Sequence, residues 1–297
     1  MAELSFDFTA MASACELRLA GTDEAALQAA ARAAIGEVRR IEQAYTRYRP
    51  DSIVSRINAA AGTGQAIEVD AETAHLLGFA GQLHAASDGR FDITSGVLRR
   101  AWDFRLPRLP EPAALAALLP LIGWPMVAWD GRRVALPVAG MEIDFGGFGK
   151  EYAADRAFSV LVSAGVSSGY ANLGGDIRVL GPHPGGRPWR FAIRHPRDEG
   201  QTVAHIELGV GALATSGDYE RFIDVDGRRY CHILDARSGW PVMVWQSISV
   251  VAPVCVAAGA LCTMAILQGA TALAYLREQH VGFFAVDADG AIFHEGV

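Results

Sequence analysis

Residues 143–157, IDFGGFGKEYAADRA, set Gly146, Gly147 and Gly149 just before Lys150 and a stretch that reads as the opening turns of a helix. Glycines let a backbone approach a ligand closely, and the start of a helix aims N–H groups at an anion, so this composition could cradle a phosphate. A tight connection from a strand ending at Phe145 into a helix would use the same residues. Two common glycine-rich phosphate motifs are excluded. A Walker loop needs Gly at 144 and Ser or Thr at 151, where Asp144 and Glu151 stand. A dinucleotide fingerprint on Gly147 and Gly149 needs Gly in place of Tyr152, and a βαβ alternation that the surroundings lack.

Four other stretches are dense in polar residues and glycine for so apolar a chain: YRPDSIVSRIN (48–58), GRFDIT (89–94), ANLGGDIRVLG (171–181) and ATSGDYERF…CHILDARSG (214–239). Each also has a purely architectural reading. Asp51 and Ser52 can cap a turn, Gly174-Gly175 can form a bulge, and Asp218 can be a loop residue. His232, between Cys231 and Ile233 in an apolar strand, can be a satisfied core histidine.

The elements that must carry these residues follow from periodicity and punctuation. The chain to about Leu19 alternates like a strand, and Thr22 is expected to cap an Ala-rich helix running to about Tyr45. A turn at Pro50-Asp51-Ser52, a short helix over SIVSRIN and a longer one opened by Asp70 and closed near Gly89 come next. Residues 107–125 are punctuated by proline, with room for one short helix. Beyond Met126 the pattern changes to short strands with Asp-Gly turns at 130–131 and 226–227, interrupted by the helix after Lys150, and GFFAVDADGAIFHE ends the chain as a hairpin. Residues 246–276 lack charge over a length that could span a bilayer, but a β-branched strand (SISVVA), Pro253 and a small-residue helix divide them. Helices followed by many strands predict an α+β fold, with largely antiparallel sheets covered by helices, in a single domain over 1–297 with a soft internal boundary near 105–125.

At 297 residues, 51% hydrophobic and 20% charged, the chain can bury a large core without staples. A net charge of −7 with scattered Lys and Arg does not form a nucleic-acid footprint, so an anionic ligand must be held by local amides, a few cations or a metal. Cys15, Cys231, Cys255 and Cys262 show no metal-binding spacing and read as small buried residues of a reducing compartment. The N-terminal residues lack a basic region followed by an apolar one, which predicts a cytoplasmic protein with no transmembrane segment.

Taken together, in this order and spacing, these stretches resemble the ApbE family of FAD:protein FMN transferases, from FTAMAS (8–13) to LCTMAILQG (261–269). The resemblance implies the ApbE-like (T-fold-like) fold and an FAD site. Met11, from the family's Met-Gly-Thr and here followed by Ala12-Ser13, would lie against the flavin, and Tyr48 at the isoalloxazine. The Gly-x-x-Asp segment implies that Arg90, Phe91 and Asp92 line that site. The glycine stretch corresponds to the family's Gly-Gly-x-Ala-Lys-Gly, so Gly146 would touch FAD, Lys150 its phosphates, and the carbonyl of Gly149, in place of Ala, a magnesium ion. In the His-Ile-x-Asp motif, His232 would be the base and Ile233 would touch FAD.

The reaction implied is magnesium-dependent transfer of FMN from FAD to a Thr or Ser hydroxyl of an acceptor flavoprotein, releasing AMP. Relatives carry Ala-Asp-Ala-Leu-Ala-Thr near the C-terminus, Asp and Thr both reaching the metal; here Thr263 remains and Gly259 replaces Asp. No acid occurs between Asp235 and Glu278, so weakened metal binding is expected, and Gly259→Asp is expected to strengthen it. Two alternatives therefore stand beside the transferase: an FAD-binding protein with weak or lost transfer, and an FAD pyrophosphatase using water. Asp92-Ile-Thr-Ser95-Gly echoes only part of the family's acceptor motif, and self-flavinylation is not expected.

Overall fold

The computed structural model describes residues 2–297, with every side chain among them except that of Glu199. In chain order the strands and longer helices are β1 (Ala2–Ala10), β2 (Ser13–Gly21), α1 (Glu24–Tyr45), α2 (Ile53–Ala59), β3 (Ile67–Glu68), α3 (Ala71–Ala86), α4 (Pro112–Leu118), β4 (Ala128–Trp129), β5 (Arg133–Ala135), α5 (Gly149–Ser163), β6 (Gly169–Leu173) and β7 (Asp176–Gly181). They continue with β8 (Trp189–His195), β9 (Asp198–Leu208), β10 (Gly211–Gly217), β11 (Phe222–Val225), β12 (Arg228–Cys231), β13 (Trp245–Ala252), α6 (Cys255–Leu267), α7 (Ala272–Glu278), β14 (Gly282–Asp287) and β15 (Ile292–Glu295).

Eight strands form one antiparallel sheet in the order β1-β2-β6-β7-β10-β13-β14-β15, which is chain order. It is a meander whose connections leave the sheet and return. The longest excursion, between β2 and β6, carries α1 to α5 and lays α1 and α5 on the sheet. Alternation in the central strands splits the core. Ala171 and Leu173 of β6 face the helices, whereas Tyr170, Ile177 and Val179 join Trp189 and Phe191 of the β8–β9 hairpin on the opposite face. A satellite cluster ties Leu98, Trp102 and Leu115 to Ile223 and Tyr230, so the proline-punctuated middle packs against the β11–β12 hairpin. The α+β class and the antiparallel sheet under helices agree with the sequence.

The helices form for ordinary reasons. α1 buries Leu27, Ala31, Ala34, Val38, Ile41 and Tyr45, one stripe at helical spacing. α6 has no charged residue and buries most of its length between α5 and the sheet. Its first turn is capped from outside: Asp155 of α5 accepts from the N–H groups of Cys255 and Val256, both at 2.9 Å, and pairs with Arg178 at 3.0 Å. That carboxylate fixes the angle at which α5 and α6 meet.

Several expectations need correction. The opening strand is a hairpin, β1 and β2 turning at Met11 and Ala12 with φ of 52° and 57°. The turn was hidden because neither residue is the Gly or Asn that this conformation favours. Asp23, not Thr22, caps α1, accepting from Ala26 N–H at 3.0 Å. No strand ends at Phe145: Ile143 bonds the Asn58 side chain and Asp144 the Ile93 carbonyl, leaving no ladder to join. Gly174-Gly175 is the two-residue turn between Leu173 and Asp176, both glycines at positive φ, rather than a bulge. His232 lies just past the end of β12. Among the described residues no helix is long and apolar enough to cross a membrane.

Replacing Asp155 by Ala uncaps α6 and strands a nearly buried Arg178. The loss expected is about 2–4 kcal/mol of unfolding free energy in urea titrations; an unchanged midpoint would show that α6 does not rely on this cap.

Candidate functional site

The glycine stretch is built from the bottom as an Asx turn running into a helix. Asp144 Oδ1 accepts from Gly146 N–H at 2.9 Å, and the Phe145 carbonyl accepts from Phe148 and Gly149 N–H at 3.1 and 2.8 Å. Phe148 supplies no side-chain cap to α5. Phe145 and Phe148 anchor the turn from beneath, buried and in ring contact, while Gly146 is exposed. Gly147 is required by proximity: a Cβ there would lie 2.7 Å from the Phe91 ring.

Lys150 leaves this turn toward the β6–β7 hairpin, where Nζ donates to Asp176 Oδ2 at 2.6 Å, close to Gly174. Burial opposes its charge, but Asp176 and Glu151 outweigh that and hold the ammonium above the ordinary lysine range. The same turn carries Glu151, whose carboxylate is buried and whose Oε2 has no hydrogen-bond partner. Burial first, then Asp176, push its pKa well up, Lys150 offsetting only part. Asp176 is raised too, again chiefly by burial, with Lys150 acting the other way.

Facing this cluster from α6 is Gly259, one turn before Thr263. A Cβ at 259 would lie 2.4 Å from Glu151 Oε1 and 2.5 Å from its Cγ, so the carboxylate lies directly on the glycine. Thr263 Oγ1 sits 3.2 Å from Ser216 Oγ of β10. No group of three or more His, Cys, Asp or Glu among the described residues could hold a metal. The bare carboxylate oxygen and the two hydroxyls are nevertheless hard donors of the kind magnesium accepts.

The other residues singled out in the sequence fall as follows. Met11 occupies the β1–β2 turn, its N–H bonded to Glu42 Oε1 at 2.6 Å, and Ser13 beside it packs on Gly174. Tyr48 is 81% exposed, with the Arg47 guanidinium 5.4 Å from its ring centre; Arg47 pairs in turn with Asp144. Phe91 is buried against Gly147 and Phe148. Arg90 reaches the Leu267 carbonyl at 3.3 Å and Asp235 at 3.8 Å, and its own carbonyl accepts from Ala236 N–H. Ile233 is buried in the core. His232 bonds the Arg221 carbonyl through Nδ1 at 3.2 Å; burial, then the Arg221 and Lys150 charges, lower its pKa to about 4.

The Asp92 carboxylate is buried and fully used inside the protein, accepting from Thr94 N–H, Thr94 Oγ1 and Trp124 N–H at 2.6–2.7 Å. It holds the loop that presents Phe91. Two clefts of about 450 and 500 Å³ lie elsewhere, one between α1, α2 and α3, the other beside Ala20–Leu27 and Pro182. Neither is lined by Lys150, Glu151 or His232, and the charge geometry rather than cleft volume marks the site.

The sequence pattern of the ApbE family matches residues 11–286, covering the turn, Lys150, His232 and Thr263. The chain belongs to the ApbE family. An FAD:protein FMN transferase from Rhodobacter capsulatus is 34% identical over 254 residues, 84% of this chain and 48% of that protein, so the chain spans about half that relative's length. Another, from Vibrio cholerae, is 30% identical over 228 residues, 75% of this chain and 68% of that protein. The crystal structure of the ApbE protein from Thermotoga maritima superposes with a TM-score of 0.91 at 29% identity, covering 99% of this chain and 97% of that one. Pseudomonas stutzeri flavinyl transferase ApbE, in its apo form, gives 0.86 at 28% identity, covering 99% and 95%.

Within this ApbE chain, sequence reasoning missed Glu151, Asp176, Ser216 and the Arg47–Asp144 pair. One signal for Glu151 was available: it occupies the last Gly of the family's Gly-Gly-x-Ala-Lys-Gly. Gly147→Ala is expected to lose about 1–3 kcal/mol in denaturant unfolding, because the methyl meets a buried ring. Gly149→Ala, with nothing within 4 Å of the added carbon, is expected to stay within about 0.5 kcal/mol. Equal effects would mean that Phe91 yields freely.

Proposed function

We propose that this chain transfers FMN from FAD to a Thr or Ser hydroxyl of an acceptor flavoprotein, releasing AMP. The observation that carries this reading is the clustering, around the start of α5, of a lysine, two buried carboxylates and an uncapped helix turn, in a chain similar to FAD:protein FMN transferases. An uncapped N-terminal turn beside an ammonium suits a pyrophosphate.

In this reading Tyr48 offers its exposed face to the isoalloxazine, with Met11 and Phe91 at the same ligand and Arg90 and Ile233 completing the wall. Gly146 lets FAD approach the turn, and Lys150 holds its phosphates. The acceptor hydroxyl oxygen forms a bond to the FMN phosphorus, and the P–O bond to AMP breaks with its electron pair leaving on AMP. His232 takes the hydroxyl proton. It is suited to this because burial keeps the ring neutral near pH 7 and the Nδ1–H can rest on the Arg221 carbonyl, leaving Nε2 free to accept. Magnesium, when bound, supplies charge neutralisation on the phosphoryl oxygens; Thr263 Oγ1 and the Gly149 carbonyl are its expected protein contacts. We place the chain in the reducing cytoplasm, which four buried free thiols support.

The alternative of a binder without transfer rested on the missing acid at Gly259, yet a carboxylate lies at that position from Glu151. The test uses purified protein, FAD, magnesium and an acceptor domain, read by in-gel flavin fluorescence and AMP release. Fluorescent acceptor with equimolar AMP is the expected result. AMP without labelled acceptor would select the pyrophosphatase, and neither product with FAD bound would select the binder.

Tyr48→Ala is expected to weaken FAD binding by roughly 5- to 150-fold, the range of an aromatic stacking contact, without moving the melting temperature, since the side chain is exposed. A second expectation concerns pH. Because His232 titrates near 4 instead of 6.5, the acid limb of kcat/KM should fall near pH 4 and be absent in His232→Ala. A limb near 6.5 in the wild type would contradict the base assignment.

A further inference from the structure

We infer that Glu151, in the first turn of α5 and facing α6, is this chain's carboxylate ligand for a divalent cation. This rests on the reading of an FAD phosphate site given above, and names the residue that makes its metal chemistry possible.

The geometry is local and specific. Glu151 is 7% exposed, and its Oε2 is bare of any hydrogen-bond partner among the described residues. Leaving a carboxylate oxygen buried and unpaired is unfavourable, so a compensating group must repay the position. Lys150 is already spent: its Nζ donates to Asp176 at 2.6 Å, leaving one cation among two buried carboxylates. A divalent cation would satisfy that free oxygen.

The carboxylate also faces a helix that carries a hydroxyl. Glu151 lies on Gly259, and Thr263 follows Gly259 by four residues on the same face of α6, its hydroxyl 3.2 Å from Ser216 Oγ. A carboxylate and hydroxyls are hard oxygen donors of the kind magnesium and manganese accept, with substrate oxygens and water completing the shell.

Steric exclusion makes the arrangement reciprocal. A Cβ at 259 would fall 2.4 Å from Glu151 Oε1 and 2.7 Å from its Cδ, so only glycine at 259 allows Glu151 its position. It follows that Gly259→Asp alone should weaken the metal site, because the new side chain collides with Glu151, and the strengthening expected from the sequence is withdrawn.

The test compares wild type, Glu151→Gln, Gly259→Asp and the double variant Glu151→Gly/Gly259→Asp in the full chain. Manganese binding is followed by electron paramagnetic resonance and calorimetry, with and without FAD, and the melting temperature with and without magnesium. The wild type should bind manganese in the presence of FAD, and Glu151→Gln should bind it about tenfold or more weakly while still binding FAD. Gly259→Asp should lose manganese affinity and melt lower, and the double variant should regain most of both. Unchanged manganese affinity in Glu151→Gln, or a double variant no better than Gly259→Asp, would overturn the assignment. If the single Asp variant does not fold, the near-isosteric Gln variant decides alone. A wild type that binds no FAD would instead remove the functional reading, so the two failures are distinguishable.

Discussion

A single ammonium set against buried carboxylates governs this site. Lys150 leaves the first turn of α5 and reaches Asp176 at the mouth of the β6–β7 hairpin, so one 2.6 Å contact ties the glycine turn to the central sheet. Glu151, the next residue, faces α6. The turn is therefore held on two sides by charge and from below by Phe145 and Phe148, while its exposed rim remains glycine. A buried, incompletely neutralised cluster of this kind is unfavourable for folding alone.

The surrounding fold serves that cluster with few parts. The sheet is a meander in chain order, so β6, β7, β10 and β13 stand side by side and deliver Gly174, Asp176 and Ser216 from adjacent positions. α5 and α6 lie on the same face and are fastened at the α6 start by Asp155, which also holds Arg178. Thiols nearby are kept out of the chemistry: burial, then Asp176 and Glu151 or their neighbours, keep Cys255 and Cys262 protonated. The β8–β9 hairpin closes the opposite face with an apolar cluster.

Much of this was legible in the sequence because it rests on local rules. The α1 stripe, the Asp70 cap, the Asp226-Gly227 hairpin and the strand-then-helix division of residues 246–276 follow from periodicity and punctuation, and the structure has them. What stayed hidden was of two kinds. Met11-Ala12 turns a hairpin with residues that disfavour positive φ, so no local signal announced it. The Asp92 carboxylate bonds Thr94 and Trp124, partners that only packing decides. Glu151 is the sharpest case. It stands 108 positions before Gly259 and meets it only across the α5–α6 interface, so no local pattern brings the two together.

The most direct measurement is a crystal structure of the protein with FAD and manganese, using the anomalous signal of the metal. The account expects the diphosphate bridge at the Lys150 turn, the flavin ring on Tyr48, and an anomalous peak within ligand distance of both the Glu151 carboxylate and Thr263 Oγ1. Flavin bound away from the α5 turn, or a metal peak with Glu151 outside its shell, would contradict it.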